Sequence, residues 1–171
     1  SARRRGPVVA LVAGAAVLLG ALMALVAGPS AEPGGGAVAD AAQVALRGPT
    51  LPPPAAAGGG RLALAVDGVA FPDYAREHGW RAVGTRTDTV AGRRAVTVTY
   101  ARAGRRVGYT IVPGPPLELP SQARRMSYDG VEVAVLDEGA TRSIAWVRRG
   151  RTCILSTRGA RLARLLDFAV G

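Results

Sequence analysis

No lysine occurs among the 171 residues: all 22 basic side chains are arginine, set against 12 acidic residues for a formal charge of +10. Cysteine and histidine are present once each, as Cys153 and His78. A lone cysteine forbids an intrachain disulfide framework, and one Cys with one His cannot complete a tetrahedral zinc site. No G-x-S-x-G run occurs, which removes the nucleophile elbow. His78 lies in a mixed-charge stretch beside a turn glycine and reads as a surface side chain. Asp67, Asp73, Asp88, Asp129, Asp137 and Glu138 are scattered, without calcium-loop or magnesium-type spacing. These absences leave no catalytic, cofactor-binding or metal-ligating residue to nominate, and an enzyme is not expected. The use of arginine without lysine, with abundant Ala and Gly, reads as codon usage in a GC-rich genome. The arginine count is therefore not a functional signal by itself.

Charge is missing altogether from residues 7–27, PVVALVAGAAVLLGALMALVA, which carry no polar side chain either. At roughly 1.5 Å per residue this run measures about 31 Å as a helix, close to the hydrocarbon thickness of a bilayer. Arg3, Arg4 and Arg5 precede it and the next charge is acidic, Glu32. The positive-inside rule then expects residues 1–6 as a cytoplasmic stub, 7–27 as a single transmembrane helix, and everything after it outside the cell. A cleaved signal peptide is the competing reading, but the run is longer than the usual apolar core of about 7–15 residues and lacks a clean A-x-A site. Ala16 and Gly20 form a small-xxx-small pair, which arises by chance in so Ala-rich a span. The chain opens with Ser rather than Met, so residues upstream of Ser1 are an open question.

Residues 28–60 are dominated by Pro, Gly and Ala, with at most a helical turn or two around 41–46. The composition predicts a linker without a buried role, stiffened by Pro52, Pro53 and Pro54, that holds the next domain off the membrane. From residue 61 onward about 111 residues remain, enough for one small domain and too few for a (β/α)8 barrel or a doubly wound dinucleotide fold. Here the pattern turns to alternation. Residues 80–88, 95–103, 106–112, 131–136, 141–148 and 151–156 are rich in Val, Ile, Thr and aromatics and read as strands. Short Gly-containing connections predict an antiparallel meander. The proline-rich stretch 113–120 must leave the sheet. Residues 158–170 place Leu162, Leu165, Leu166 and Ala169 at helical spacing, a closing amphipathic helix. FPDYAREHGW at 71–80 reads as a short helix or turn, with Pro72 in its first turn. The expected fold class is α+β: about six mostly antiparallel strands closed by a C-terminal helix, over residues 61–171.

Trp80, Tyr100, Tyr109 and Trp146 occupy strand positions that suit a core better than a ligand cage. Cys153 alternates with Thr152 and Ile154 and reads as a buried, inert thiol. The domain is basic, and such a surface could meet anionic lipid, cell-wall polymer or nucleic acid. An external location sets nucleic acid aside. Arg93, Arg94, Arg105, Arg106, Arg148 and Arg149 fall in or beside turns, as on any solvated sheet edge.

FPDY at 71–74, HGWRAVGTRTD at 78–88, AGRRAVTVTYAR at 91–102, GYTIV at 108–112 and AWVRRGRTCILS at 145–156 stand in an order that resembles the extracytoplasmic region of single-span anti-sigma factors. The succession of arginines, span, tether and outer domain is similar to that layout. In that family a short cytoplasmic domain, often with a His-x3-Cys-x2-Cys zinc motif, sequesters an extracytoplasmic-function sigma factor. The resemblance implies the membrane anchor and outer sensor of a transcription regulator, controlled by a site-1-type protease in the tether and then by intramembrane proteolysis. Only six residues precede the span, so no residue here is named as a sigma contact or zinc ligand. The implied partners are the membrane, the two proteases and, through a cytoplasmic domain absent from this chain, a sigma factor. The alternative is a membrane-tethered envelope binding or assembly module using its basic sheet surface.

Overall fold

Five two-residue hairpin turns in which a non-glycine residue precedes glycine share one conformation. Asp67-Gly68, Ala91-Gly92, Ala103-Gly104, Asp129-Gly130 and Arg149-Gly150 all have positive φ at both positions. That is the type I′ geometry, whose twist matches the right-handed twist of the strands it joins. A computed structural model describes residues 35–159 and 162–170. The expected stub 1–6, the span 7–27 and residues 28–34 lie outside them, and no described helix is long and apolar enough to cross a membrane.

The elements in order are α1 (Gly35–Ala45), β1 (Ala56–Gly58), β2 (Arg61–Val66), β3 (Val69–Pro72), α2 (Ala75–His78), β4 (Arg81–Val90), β5 (Arg93–Arg102), β6 (Arg105–Val112), β7 (Arg124–Tyr128), β8 (Val131–Glu138), β9 (Thr141–Arg148), β10 (Arg151–Arg158) and α3 (Leu162–Val170). The fold is α+β. A seven-stranded antiparallel sheet runs β4-β5-β6-β10-β9-β8-β7, and a small second sheet runs β1-β2-β3. The six expected strands are all present. The simple meander is not: after β6 the chain crosses through the prolines of 113–120 to the far edge, and returns through β7, β8 and β9 so that β10 pairs with β6. Pro72 closes a strand instead of opening a helix. The strands β1, β2, β3 and β7 are additional to those six.

Alternation gives the large sheet two faces. One carries Val98, Tyr100, Tyr109, Ile111, Ile144, Trp146, Cys153 and Leu155, covered by Leu62, Val69 and Phe71 of the small sheet and by Leu165 and Phe168 of α3. The other carries Ala95, Ala145 and Ile154, covered by Val38, Ala41, Ala42 and Val44 of α1. This second face corrects the reading of residues 28–60 as a linker. Val38 and Ala41 are fully buried, Thr50 and Leu51 donate N–H bonds to the Thr85 carbonyl, and the folded domain therefore starts by residue 35 rather than 61. The physical reason is the small residues on both sides. Thr97, Thr99, Gly108, Thr110, Ser143 and Ser156 leave a shallow sheet surface, and a Cβ on Gly108 would overlap the Ala45 carbonyl. Four of the buried hydroxyls of this face pair with each other, Thr97 with Thr110 at 2.7 Å and Ser143 with Ser156 at 2.8 Å.

Candidate functional site

His78 ends α2 and lies half-buried with its ring 5.7 Å from both Tyr74 and Phe168. It joins an aromatic cluster in which the Tyr74 hydroxyl donates to the Phe168 carbonyl of α3. Among the described residues no hydroxyl nucleophile is hydrogen-bonded to it. Cys153 is fully buried, and burial pushes its thiol up to about 11, with Tyr109 and Arg148 offsetting this only in part. A protonated, enclosed thiol is a poor nucleophile at neutral pH. Trp80, Tyr100, Tyr109 and Trp146 are all buried on the aromatic face. Among the described residues no three His, Cys, Asp or Glu side chains gather as a metal site.

The turn arginines divide into distinct roles. Arg93 donates to the carbonyls of Pro113 and Pro115, which holds the crossing segment down. Arg149 donates to the Gly68 carbonyl and Arg151 to Asp67 at 2.9 Å, joining the small sheet to the large one. Arg94 is exposed to solvent. Arg148 lines a cleft of about 430 Å³ with Arg61 and Arg149, but Asp73 and Glu77 line it too and offset the charge. A second cleft of about 470 Å³ sets Arg102 and Arg105 beside His78 and Asp167. On the α1 face, a third of similar volume runs between Leu117, Leu119 and Ala134, with Arg125 and Glu132 on its rim.

The fourth cleft differs in kind. It encloses about 320 Å³ between the end of α1 and the β5–β6 turn, and is lined by Arg47, Arg105, Arg106 and Arg158 with Thr99 and Gly108. Of these four clefts it alone has no carboxylate in its lining. Arg47 is tied to Asp88 at 3.3 Å outside the cleft, where Asp88 is also gripped by Arg86 at 2.6 Å. That Arg86 hydrogen bond, with smaller contributions from Arg47, holds the Asp88 carboxyl below the usual carboxylate range against the opposing effect of burial. Sequence reading singled out Arg105 and Arg106 but not Arg47 or Arg158. Arg47 stands in the stretch read as linker, and Arg158 beyond the last expected strand. The spacing of Val38, Ala41, Ala42 and Ala45 was the available signal for the helix that brings Arg47 in. Comparison with protein-family models, with characterised proteins and with solved structures finds no match for this chain.

Proposed function

We propose that this chain is the membrane and extracytoplasmic part of an anti-sigma factor, a regulator that acts through the state of its outer domain and turns over no substrate. The observation that carries the reading is the burial of α1. The first described element after the apolar run of residues 7–27 is held on the sheet by Val38, Ala41, Ala42 and Val44. While α1 stays docked, residues 35–60 are folded, and only residues 28–34 separate the expected span from the domain. Release of α1 would present a long Pro/Gly/Ala-rich stretch to a protease cleft, which accepts extended backbone and not a packed helix. In this reading the N-terminus is cytoplasmic, the domain is extracytoplasmic, and site-1-type and intramembrane proteases act in succession. A sigma factor would be bound by a cytoplasmic domain encoded upstream of Ser1.

The test is the coding sequence immediately upstream of Ser1, followed by protease added to spheroplasts. A cytoplasmic domain with His-x3-Cys-x2-Cys, and cleavage within 35–60 only after α1 is released, support the regulator. A start codon within a few residues of Ser1 overturns it. The second reading, an envelope binding module, is favoured by the arginine-lined cleft and would then lead.

A further inference from the structure

We propose that the cleft at the end of α1 is a binding site for a phosphoryl oxyanion, either the free ion or a phosphate monoester. The argument starts from strand register. Thr99 pairs with Gly108, and Gly108 in turn pairs with Ser156. The β6–β10 ladder runs on through Thr157 opposite Val107, so its continuation sets Arg158 across from Arg106, both on the α1 face. Like charges directly opposed on neighbouring strands repel. Each of these arginines is exposed, and neither has a carboxylate within ion-pair distance among the described residues. Arg105 and Arg47 add two more guanidinium groups to the lining.

A second observation is independent of charge. Thr99 is 4% exposed and its Oγ1 has no hydrogen-bond partner among the described residues, although it lines the arginine cleft. The other buried hydroxyls of this face are all satisfied: Thr97 by Thr110, Ser143 by Ser156, and Thr152 by the Leu117 N–H. A buried hydroxyl left without a partner is unfavourable, and a water, an ion or a ligand oxygen placed against it would relieve that cost. An oxygen-rich anion in the cleft meets both needs: it accepts from the Thr99 hydroxyl and neutralises the opposed arginines. Guanidinium forks match tetrahedral oxyanions through paired N–H bonds. The C-terminal end of α1 presents partial negative charge, which opposes an anion there. Arg105, Arg106 and Arg158, which have no ion pair among the described residues, outweigh that half charge even with Arg47 shared with Asp88, and a doubly charged phosphoryl group gains more from them than a singly charged carboxylate.

Such a ligand would touch three separate parts of the fold at once: the residues after α1, the β5–β6 turn and the end of β10. Occupancy would hold α1 on the sheet. The assignment of the site rests on the cleft alone, while its use as a signal that protects residues 35–60 rests on the regulatory reading above.

The full chain is titrated with inorganic phosphate, and separately with glycerol phosphate as a soluble lipid-headgroup probe, at fixed ionic strength, following binding heat and the unfolding midpoint. The double variant Arg106→Ala/Arg158→Ala is expected to lose about tenfold or more in affinity, and Thr99→Val severalfold. Arg124→Ala/Arg125→Ala, which removes the same charge at the far sheet edge, should bind as the parent does. Without ligand, Arg106→Ala/Arg158→Ala should unfold no earlier than the parent, because the repulsion is gone. Binding of glycerol phosphate at least as tight as phosphate assigns an ester-borne group, and binding of phosphate alone assigns the free ion; both support the site. Failure of both probes to bind overturns it, as does equal loss in the far-edge control. Protection of residues 35–60 from protease by a bound probe tests the regulatory use, and its failure would leave the site standing.

Discussion

The two faces of the large sheet are built on opposite plans. One is filled by aromatic rings: Phe71 meets Tyr109 edge-on at 5.3 Å, Tyr74 meets Phe168 at 4.5 Å, and Trp80 meets Phe168 at 5.4 Å. The other is dominated by Gly, Ala, Ser and Thr, with Val112, Leu136 and Ile154 among them, and accepts a helix whose own buried side chains are Val and Ala. Large rings bury more area per residue and tie three elements to the sheet, so stability concentrates there. The small-residue face gains little area per side chain and relies on backbone proximity, as at Gly108 beneath Ala45. On this plan α1 is the element whose release is expected to disturb the rest of the fold least.

The largest effect should come from the aromatic face. Phe71 is fully buried, and Phe71→Ala removes a ring that bridges the small sheet to Tyr109. Such truncations cost about 3–5 kcal/mol, so denaturant unfolding of the whole domain should shift to a markedly lower midpoint. Gly108→Val should act more locally. Its Cβ overlaps the Ala45 carbonyl, and α1 must lift, at a cost of about 1–3 kcal/mol. Hydrogen exchange separates the two cases: Phe71→Ala should speed exchange across all strands, Gly108→Val mainly in 35–47. Uniform loss of protection in both variants would mean that the faces unfold as one unit.

The aromatic face was legible in the sequence because its strands alternate large apolar and polar residues, and its turns carry Asp-Gly, Ala-Gly or Arg-Gly at the positions that need positive φ. The α1 face was not. Alanine and glycine signal a helix packed closely on a sheet and a structureless spacer with the same letters, and only the partner surface decides between them. Gly108 and the run Thr97, Thr99 were that partner surface, scattered over two strands. The crossing to β7 was hidden for a different reason: prolines 113–120 say that the chain leaves the sheet but not where it re-enters. The arginine cleft depends on both features. Arg47 reaches it through α1, and Arg158 through the β6–β10 pairing that a meander would not make.

Asp88 offers a pH handle on the α1 face alone. Arg86 binds it, and also donates to the Gly48 carbonyl at 2.8 Å, so the residues after α1 are anchored through this group. Because its folded pKa is depressed, the stabilisation is present above the unfolded carboxyl value of about 3.9 and is lost as pH falls through the lower folded value. Exchange of the 46–51 amides should therefore quicken in acid before that of β8 and β9. Asp88→Asn should weaken the anchor by about 1 kcal/mol at neutral pH and remove this acid dependence. Retention of the same acid dependence in Asp88→Asn would assign it to another group.

The smallest expected effect tests the frame that both faces share. Ala91 sits at φ 48 in a type I′ turn, a left-handed conformation that an Ala side chain opposes. Asn tolerates it, and Asn-Gly is the preferred pair for this turn. Ala91→Asn should stabilise the domain by about 0.5–1 kcal/mol without changing exchange in α1 relative to the sheet. Asp129, at φ 48 in the equivalent turn, already has a side chain suited to it, so Asp129→Asn should be nearly neutral. A gain at Asp129 as large as that at Ala91 would show that the benefit comes from the Asn side chain itself and not from relief of the alanine backbone. A gain at Ala91 only would mean that the turns set the stability common to both faces. The difference between the faces would then lie wholly in what covers them.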